Sequence, residues 1–392
     1  MLKFTDFKRI ISMTDDTAQT CHVTAYCPFR YAIHDGSKVI MTQGGVVDPI
    51  GGWKPDSYDT RHVDQLYVSK ENADQTWTLP AEMVTRHNVR WMNDSTFMNS
   101  HPETFISAWT GGNVVQIGDE FIGIFCGCVN DPNCCTEWSP KSNAYGSCIS
   151  PFPHFESFIL ASRNGVNGWH VVEDIFGKKS GNIIEDARFL GMTPTLDDYN
   201  LPPKGPTGFK GVDKCSIGVL HTDNYWYGTA DFWSSFGPKT LIWRAIISPT
   251  ALNFPAVWDG KGWLDCEDGV LPTKFNNDTT KAEADRIWVG NAFDCPAGTL
   301  TIAPTGSPRK YMIALLMSPE TGRPYTQVGV SFTDDFVNWT PKQALTENME
   351  FQVGDPQVYA ESDGSITILF GATECPGEAY RGRGIYEANI KL

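Results

Sequence analysis

The chain has 392 residues, 41% of them hydrophobic and 12% aromatic, and it carries 36 Gly and 25 Pro. That composition supports a packed core and excludes a disordered chain. The formal net charge of -15 lacks the positive footprint that nucleic-acid phosphates or an anionic bilayer require, so neutral partners such as glycans fit the surface better.

The first twenty residues mix Lys3, Asp6, Lys8, Arg9, Asp15 and Asp16 with short apolar runs. They lack the apolar centre and small-residue cleavage site of a secretory signal, so a cytoplasmic or virion-associated protein is expected over a classically secreted one. No stretch approaches the roughly 18 apolar residues of a membrane helix. A strand is predicted near Phe4 to Ile10. The first hairpin follows, Tyr31 to Ile40 around Asp35-Gly36, a dipeptide that favours tight turns between alternating strands. Next comes Leu66-Tyr67-Val68-Ser69, a short polar turn, and Trp77-Thr78.

Both pieces then recur. Val114 to Ile122 turns at Gly118-Asp119 and is followed by Ile159-Leu160-Ala161-Ser162 and Trp169-His170. Gly218 to Trp226 turns at Asp223-Asn224 and is followed by a degenerate copy, Ile242 through Ile246-Ile247-Ser248 to Phe254. Leu300-Thr301-Ile302 and Tyr311-Met312-Ile313 precede Val328-Gly329-Val330-Ser331 and Trp339-Thr340. Val358-Tyr359-Ala360 and Ser365-Ile366 flank Asp363-Gly364 and open the last unit, which ends at Ile385 to Ile390. The closing aromatic returns at steps of roughly 85 to 92 residues, the size of a blade with inserted loops. No 3.6-residue apolar period lasts more than a turn or two, so the chain reads as all-β.

Five units with three or four strands each predict a five-bladed β-propeller, one domain over 1–392. Its blades fall at roughly 20–90, 91–177, 178–262, 283–345 and 350–392, and the N-terminal strand closes the ring against the last blade, leaving no exposed sheet edge. Two polar connectors, Thr193 to Gly211 and Asp265 to Asp285, are long enough to line a site.

In such a ring the leading residues of the innermost strands converge on the central channel. Here they are Tyr26-Cys27-Pro28, Gly112-Asn113-Val114, Val212-Asp213-Lys214, Phe293-Asp294-Cys295-Pro296 and Gly354-Asp355-Pro356. Asp213, Asp294 and Asp355 thus come from consecutive blades, and are the candidate catalytic carboxylates. The competing reading of each is an aspartate that caps a turn or accepts backbone N–H bonds. Asn113, Trp109, Trp226 and Trp233 are the candidate substrate-binding residues, since sugar rings stack on indole faces; the competing reading is burial in an all-β core. Trp263 and Trp288 lie near loops as well.

Gly354-Asp355-Pro356-Gln357-Val358 at an inner-strand opening, and Val330 to Thr340 as a blade-closing strand, resemble the five-bladed arabinanase, xylosidase and fructosidase propellers. The resemblance covers nearly the whole chain through short motifs. It implies a carboxylate base or nucleophile, a carboxylic general acid and often a third carboxylate, because glycosidic cleavage requires protonation of the leaving oxygen and attack or stabilisation at the sugar carbon. The family's base opens the first blade, where this chain has Tyr26-Cys27-Pro28, and the second blade offers Asn113. Partial matches to the family's acidic motifs stand at Trp91-Met92-Asn93-Asp94, Asn130-Asp131-Pro132-Asn133, Glu185-Asp186-Ala187-Arg188 and Glu374-Cys375-Pro376.

Five of the 11 Cys crowd at Cys126, Cys128, Cys134, Cys135 and Cys148, a pattern open to free thiols, disulfides or a metal, though it lacks paired CxxC spacing. The sequence assigns no metal site; a calcium or sodium ion in the channel would suit the converging oxygen donors. His22, His154 and His221 show no metal-binding spacing, and sequons stand at Asn93, Asn277 and Asn338. Three functions are carried forward: a glycoside hydrolase-like carbohydrate-active enzyme, a non-catalytic glycan-binding or virion-surface propeller, and a propeller recruited to lyase or cyclase chemistry, for which Cys27 and Cys295 at matching Cys-Pro openings would be channel thiols. Nothing in the sequence sets the oligomeric state.

Overall fold

The computed structural model describes residues 7–12, 25–47, 62–78, 81–84, 105–130, 154–171, 212–234, 237–248, 251–252, 256–265, 292–319, 325–349, 353–372 and 384–391. Its strands arise from the β-branched and aromatic runs picked out above. Where a sheet is covered on both faces the run is apolar without alternation, as in Tyr311–Met317 and Gln327–Thr333, whose residues are nearly all buried.

The first blade contains β2 (Ala25–Ala32), β3 (Lys38–Val47), β4 (His62–Lys70) and β5 (Ala81–Val84), after the short N-terminal β1 (Lys8–Ser12). The second contains β6 (Phe105–Ile117), β7 (Glu120–Asn130), β8 (His154–Ser162) and β9 (His170–Val171). The third contains β10 (Val212–Leu220), β11 (Trp226–Ser234), β12 (Gly237–Ala245), a small β13–β14 hairpin (Ile247–Ser248, Ala251–Leu252), β15 (Ala256–Trp258) and β16 (Trp263–Asp265). The fourth runs β17 (Ala297–Ile302), β18 (Tyr311–Met317), β19 (Gln327–Thr333) and β20 (Gln343–Ala344), and the fifth β21 (Val353–Ala360), β22 (Ser365–Ala372) and β23 (Gly384–Lys391). Within each blade neighbouring strands pair antiparallel, the third sheet running β10-β11-β12-β15-β16 with the β13–β14 hairpin set apart. A single parallel bridge, Asp64 to Ala108, joins the first two blades into one continuous sheet.

The inner strands β2, β6, β10, β17 and β21 each pack against the next, and β21 packs against β2. The protein is therefore a five-bladed β-propeller. β1 pairs with β23, from Lys8 opposite Glu387 to Ser12 opposite Gly384, so the fifth sheet holds strands from both ends of the chain. Ile11, Ile40, Leu369 and Ile385 form a buried cluster at this junction. Arg30 of β2 adds an ion pair to Glu361 at 2.6 Å and lies over the Tyr359 ring at 4.6 Å.

The repeated turns have a common chemistry. Asp35, Asp223 and Asp363 each accept the backbone N–H two residues on, from Ser37, Tyr225 and Ser365. Gly36, Asn224 and Gly364 take the left-handed conformation beside them. The blade-closing Ser/Thr does similar work: Ser162 Oγ accepts from Gly165 N–H, and Thr333 Oγ1 from Phe336 N–H. The third blade departs from the repeat. Ser248 turns into the β13–β14 hairpin, and β15–β16 supply the outer edge; Phe254 lies outside the described residues.

Candidate functional site

One irregularity recurs in all five blades. Each inner strand carries at least one residue more than its partner strand can match, and β6 and β10 carry a second, at Ser107 and Gly218. Cys27-Pro28 fall between the Tyr26–Gln43 and Phe29–Met41 pairs, and Gly111-Gly112 between Thr110–Cys126 and Asn113–Ile124. Asp213 lies alone between Val212–Phe232 and Lys214–Asp231. Gly298-Thr299 fall between Ala297–Leu315 and Leu300–Ile313, and Asp355-Pro356 between Gly354–Gly371 and Gln357–Leu369. An extra residue bends its strand, breaks the ladder and re-aims a side chain, which is why bulges gather at barrel rims and beside active sites.

The bulges meet across blade seams. A Cβ on Gly298 would stand 2.0 Å from the Pro356 carbonyl oxygen, so only glycine lets the fourth blade's bulge touch the fifth's. One residue on, Thr299 N–H donates to Gln357 Oε1 at 2.7 Å, and Thr301 Oγ1 donates to the Val358 carbonyl at 3.0 Å. These contacts advance together along both strands, so β17 and β21 run parallel with their leading ends at one rim. Asn113 extends the same wiring, donating through its amide to the Ile217 carbonyl of the third blade at 2.8 Å. Ser216 and Thr229 share a hydrogen bond, and Thr229 Oγ1 reaches the Gly298 carbonyl. Buried polar side chains are thus spent as inter-blade ties. The buried Thr299 hydroxyl has no hydrogen-bond partner.

Asp355 is half-buried and held at φ +47°, immediately before Pro356. A left-handed non-glycine residue costs about 1–2 kcal/mol, and a following proline restricts the backbone further. Asp213 lies in a bulge of β10, seven residues before the strand ends at Leu220, whereas Asp355 lies five before β21 ends at Ala360. Asp294 is placed differently: it is exposed and lies before β17, on a segment whose Phe293 bridges Thr240 of β12. The fourth blade's bulge falls three residues beyond the Cys295-Pro296 opening.

Asp231 was not singled out by the sequence and is buried at 4% exposure. Its carboxylate accepts the Ala297 N–H at 3.3 Å, and the Thr240 hydroxyl lies within hydrogen-bond distance of both the Asp231 carboxylate, at 2.7 Å, and the Cys295 carbonyl, at 2.8 Å. It therefore fastens the segment bearing Asp294 to the third blade. An acid in the middle of an aromatic strand, Trp226–Ser234, was the available signal.

Of the remaining candidates, Trp233 sits on β11 opposite Pro238, one residue from the Phe232–Val212 pair and hence at the Asp213 end. Trp226 pairs with Leu220, at the other end of the blade. It is not brought to the bulged rim. Trp109 lies on β6 opposite Gly127, two residues before the Gly111-Gly112 bulge. Cys27 and Cys295 are not equivalent: the first lies in a bulge, whereas Cys295 is buried in the cluster between the third and fourth blades, its sulfur 3.9 Å from Lys342 Nζ. Cys295 is not a channel thiol, because the fourth blade places its extra residue later. Among the described residues no three His, Cys, Asp or Glu side chains converge as metal ligands. The partial motifs at Trp91 to Asp94, Asp131 to Asn133, Glu185 to Arg188 and Glu374 to Pro376 lie outside the described residues, as do Trp288, Cys134, Cys135 and Cys148.

No protein-family model matches the sequence, and no curated protein matches it. Solved structures do. Zg3597, a family 117 glycoside hydrolase produced by the marine bacterium Zobellia galactanivorans, is 9% identical, with a TM-score of 0.51 over 97% of this chain and 88% of that one. CoXyl43, a GH43 β-xylosidase/α-arabinofuranosidase from a compost microbial metagenome, is 8% identical, with a TM-score of 0.47 over 100% and 96% of the two chains. A structure from the GH130 family of mannoside phosphorylases is 12% identical, with a TM-score of 0.47 over 99% and 95%. At such identities the likeness is one of fold alone, the five-bladed β-propeller.

Proposed function

We propose that the bulged rim of the ring binds an oligosaccharide and cleaves its glycosidic bond with carboxylates drawn from Asp213, Asp294 and Asp355. The observation that carries this reading is the strained, half-buried Asp355 in a bulge that every blade repeats. Backbone strain of this kind persists only where the surroundings impose it, and it gathers at functional sites. Asp213 also lies in a bulge of its inner strand, and Asp294 lies on the segment that leads into β17, which Asp231 positions. One carboxyl would protonate the departing oxygen while another attacks or stabilises the sugar carbon. A separation of about 5–5.5 Å between the two would retain stereochemistry, and one of about 6.5–9.5 Å would invert it. Trp233 and Trp109 are proposed as stacking surfaces, and Asn113 as a residue that shapes the rim through its tie to Ile217.

The test is hydrolysis of a panel of β- and α-linked oligosaccharides by the purified protein and its Asp→Asn variants. Loss of about 10²–10⁴ in kcat/KM for Asp355→Asn and Asp213→Asn, with binding retained, is expected for acid–base groups. Undiminished turnover in all three variants would remove the assignment. A binding-only propeller is favoured by one observation: the bulges of the first two blades carry Cys27-Pro28 and Gly111-Gly112, with no acid. Glycan-array binding without product, unchanged by the Asp→Asn substitutions, would select it.

A further inference from the structure

Arg244 stands on β12 between two aromatic faces. Its guanidinium lies over the Tyr225 ring at 4.5 Å and over the Trp263 ring at 4.6 Å. Strand register explains the grouping. Tyr227 is opposite Arg244, Arg244 is opposite Ala256, and Trp258 is opposite Trp263, so one face of the third blade carries the set. Tyr225, Arg244, Trp258 and Trp263 are all half-buried, and the two indoles lie 5.6 Å apart. Phe336 of the fourth blade stacks on Tyr227 at 3.9 Å and closes the inner end of the face.

Two observations point to a ligand. Among the described residues no carboxylate pairs with Arg244, in a chain with 46 acidic residues against 31 basic ones. Its Nε is buried and has no hydrogen-bond partner. Asp223, on the adjoining turn, is already engaged by the Tyr227 hydroxyl, the Tyr225 N–H and His221, and Arg244 reaches it only through the Tyr227 hydroxyl, which leaves Nε without a partner. Taking a guanidinium partly out of water without a counter-ion is unfavourable, and its planar fork matches carboxylate and oxyanion geometry.

We propose that this face is a second glycan site, which takes a sugar residue bearing an anionic group: the ring stacks on Trp258 and Trp263 and the anion pairs with Arg244. It is distinct from the bulged rim. Tyr227 lies five residues along β11 from Phe232, the residue that faces Val212 beside the Asp213 bulge, or roughly 17 Å of strand. Carboxylate-bearing and sulfate-bearing sugars share this chemistry.

Calorimetric titration of the full chain tests the proposal with three probes: trigalacturonate, its methyl-esterified neutral form, and a sulfated galactose oligosaccharide. Binding of at least one anionic probe, at least tenfold tighter than the neutral form, is expected. Arg244→Gln should weaken it at least tenfold and Trp263→Ala similarly, while Trp233→Ala, which removes a proposed stacking surface of the rim, leaves it unchanged and so separates this site from the rim. The two anionic arms tell carboxylate from sulfate recognition. Should Arg244→Gln fail to fold, the indole N–H resonances of Trp258 and Trp263 in the unaltered protein must shift on titration. No binding of either anionic probe, equal affinity for the neutral one, undiminished binding by Arg244→Gln, unmoved indole resonances, or loss of binding in Trp233→Ala would each overturn the proposal.

Discussion

Asp355 and Phe336 both hold left-handed backbone, at φ +47° and +64°, yet they do so for different reasons. Phe336 is a buried knob of the fourth blade, seated against Tyr227, Tyr311 and His221 of the seam. Its packing offsets its strain. Phe336→Ala keeps the strained conformation and loses the packing, so chemical denaturation should show a loss of about 3–5 kcal/mol. Asp355→Gly removes the proposed carboxylate and keeps a residue that adopts left-handed backbone freely, so it should remove turnover while the protein stays folded, a split that thermal melts and initial rates would read directly. Arg30 and Glu361 supply the pH-sensitive pair. Burial alone would raise the Glu361 pKa, but hydrogen bonds from Thr367 and Arg30, with the charges of Arg30 and Lys38, hold it below the usual carboxylate range. A depressed carboxylate stabilises the fold above its unfolded pKa, and that contribution is lost as pH falls through the folded value. Glu387 has the opposite sign: burial raises its pKa, so its ionisation opposes the fold as pH rises. Arg30→Gln should then cost about 2–4 kcal/mol at neutral pH, shrinking once Glu361 is protonated. A constant deficit across that range would exclude the pairing as its cause.

At the scale of elements, the hairpins were legible and the bulges were not. Asp35-Gly36 and Asp363-Gly364 announced their turns because an aspartate that caps its own turn and a glycine that turns left-handed act within four residues. A bulge is a mismatch between two strands, and the second strand's count enters only when they pair. So Asp213 and Asp355 were picked out as strand openings, without the repeated extra residue that makes the openings alike. The fourth blade misled for that reason: Cys295-Pro296 looks like Cys27-Pro28, but the extra residue there is Gly298-Thr299. Gly298→Ala tests the junction, since its Cβ would collide with Pro356 backbone that packed neighbours hold in place. A loss of about 3 kcal/mol, with turnover lost by the surviving folded fraction, is expected. Near-neutral stability would mean that the two bulges are not in contact.

At the scale of the whole molecule, the ring depends on the two ends of the chain meeting. Ile11 brings one buried side chain from β1 into contact with Ile40, Leu369 and Ile385. Ile11→Ala should cost about 2–4 kcal/mol, and the loss should appear as one cooperative transition if the closure holds all five blades together. The amino-acid order alone determined the strand class, the module repeat and its count, and the places where turns occur, because each depends on neighbours a few residues apart. Only the tertiary structure decided which polar residues tie blades together, that Asp231 anchors a neighbouring blade, that Trp226 stands at the far end from Asp213, and that Tyr225, Arg244 and Trp263 form a stack. Those groupings join residues from different strands and blades, and strand register, which the chain acquires only on pairing, sets which of them share a face.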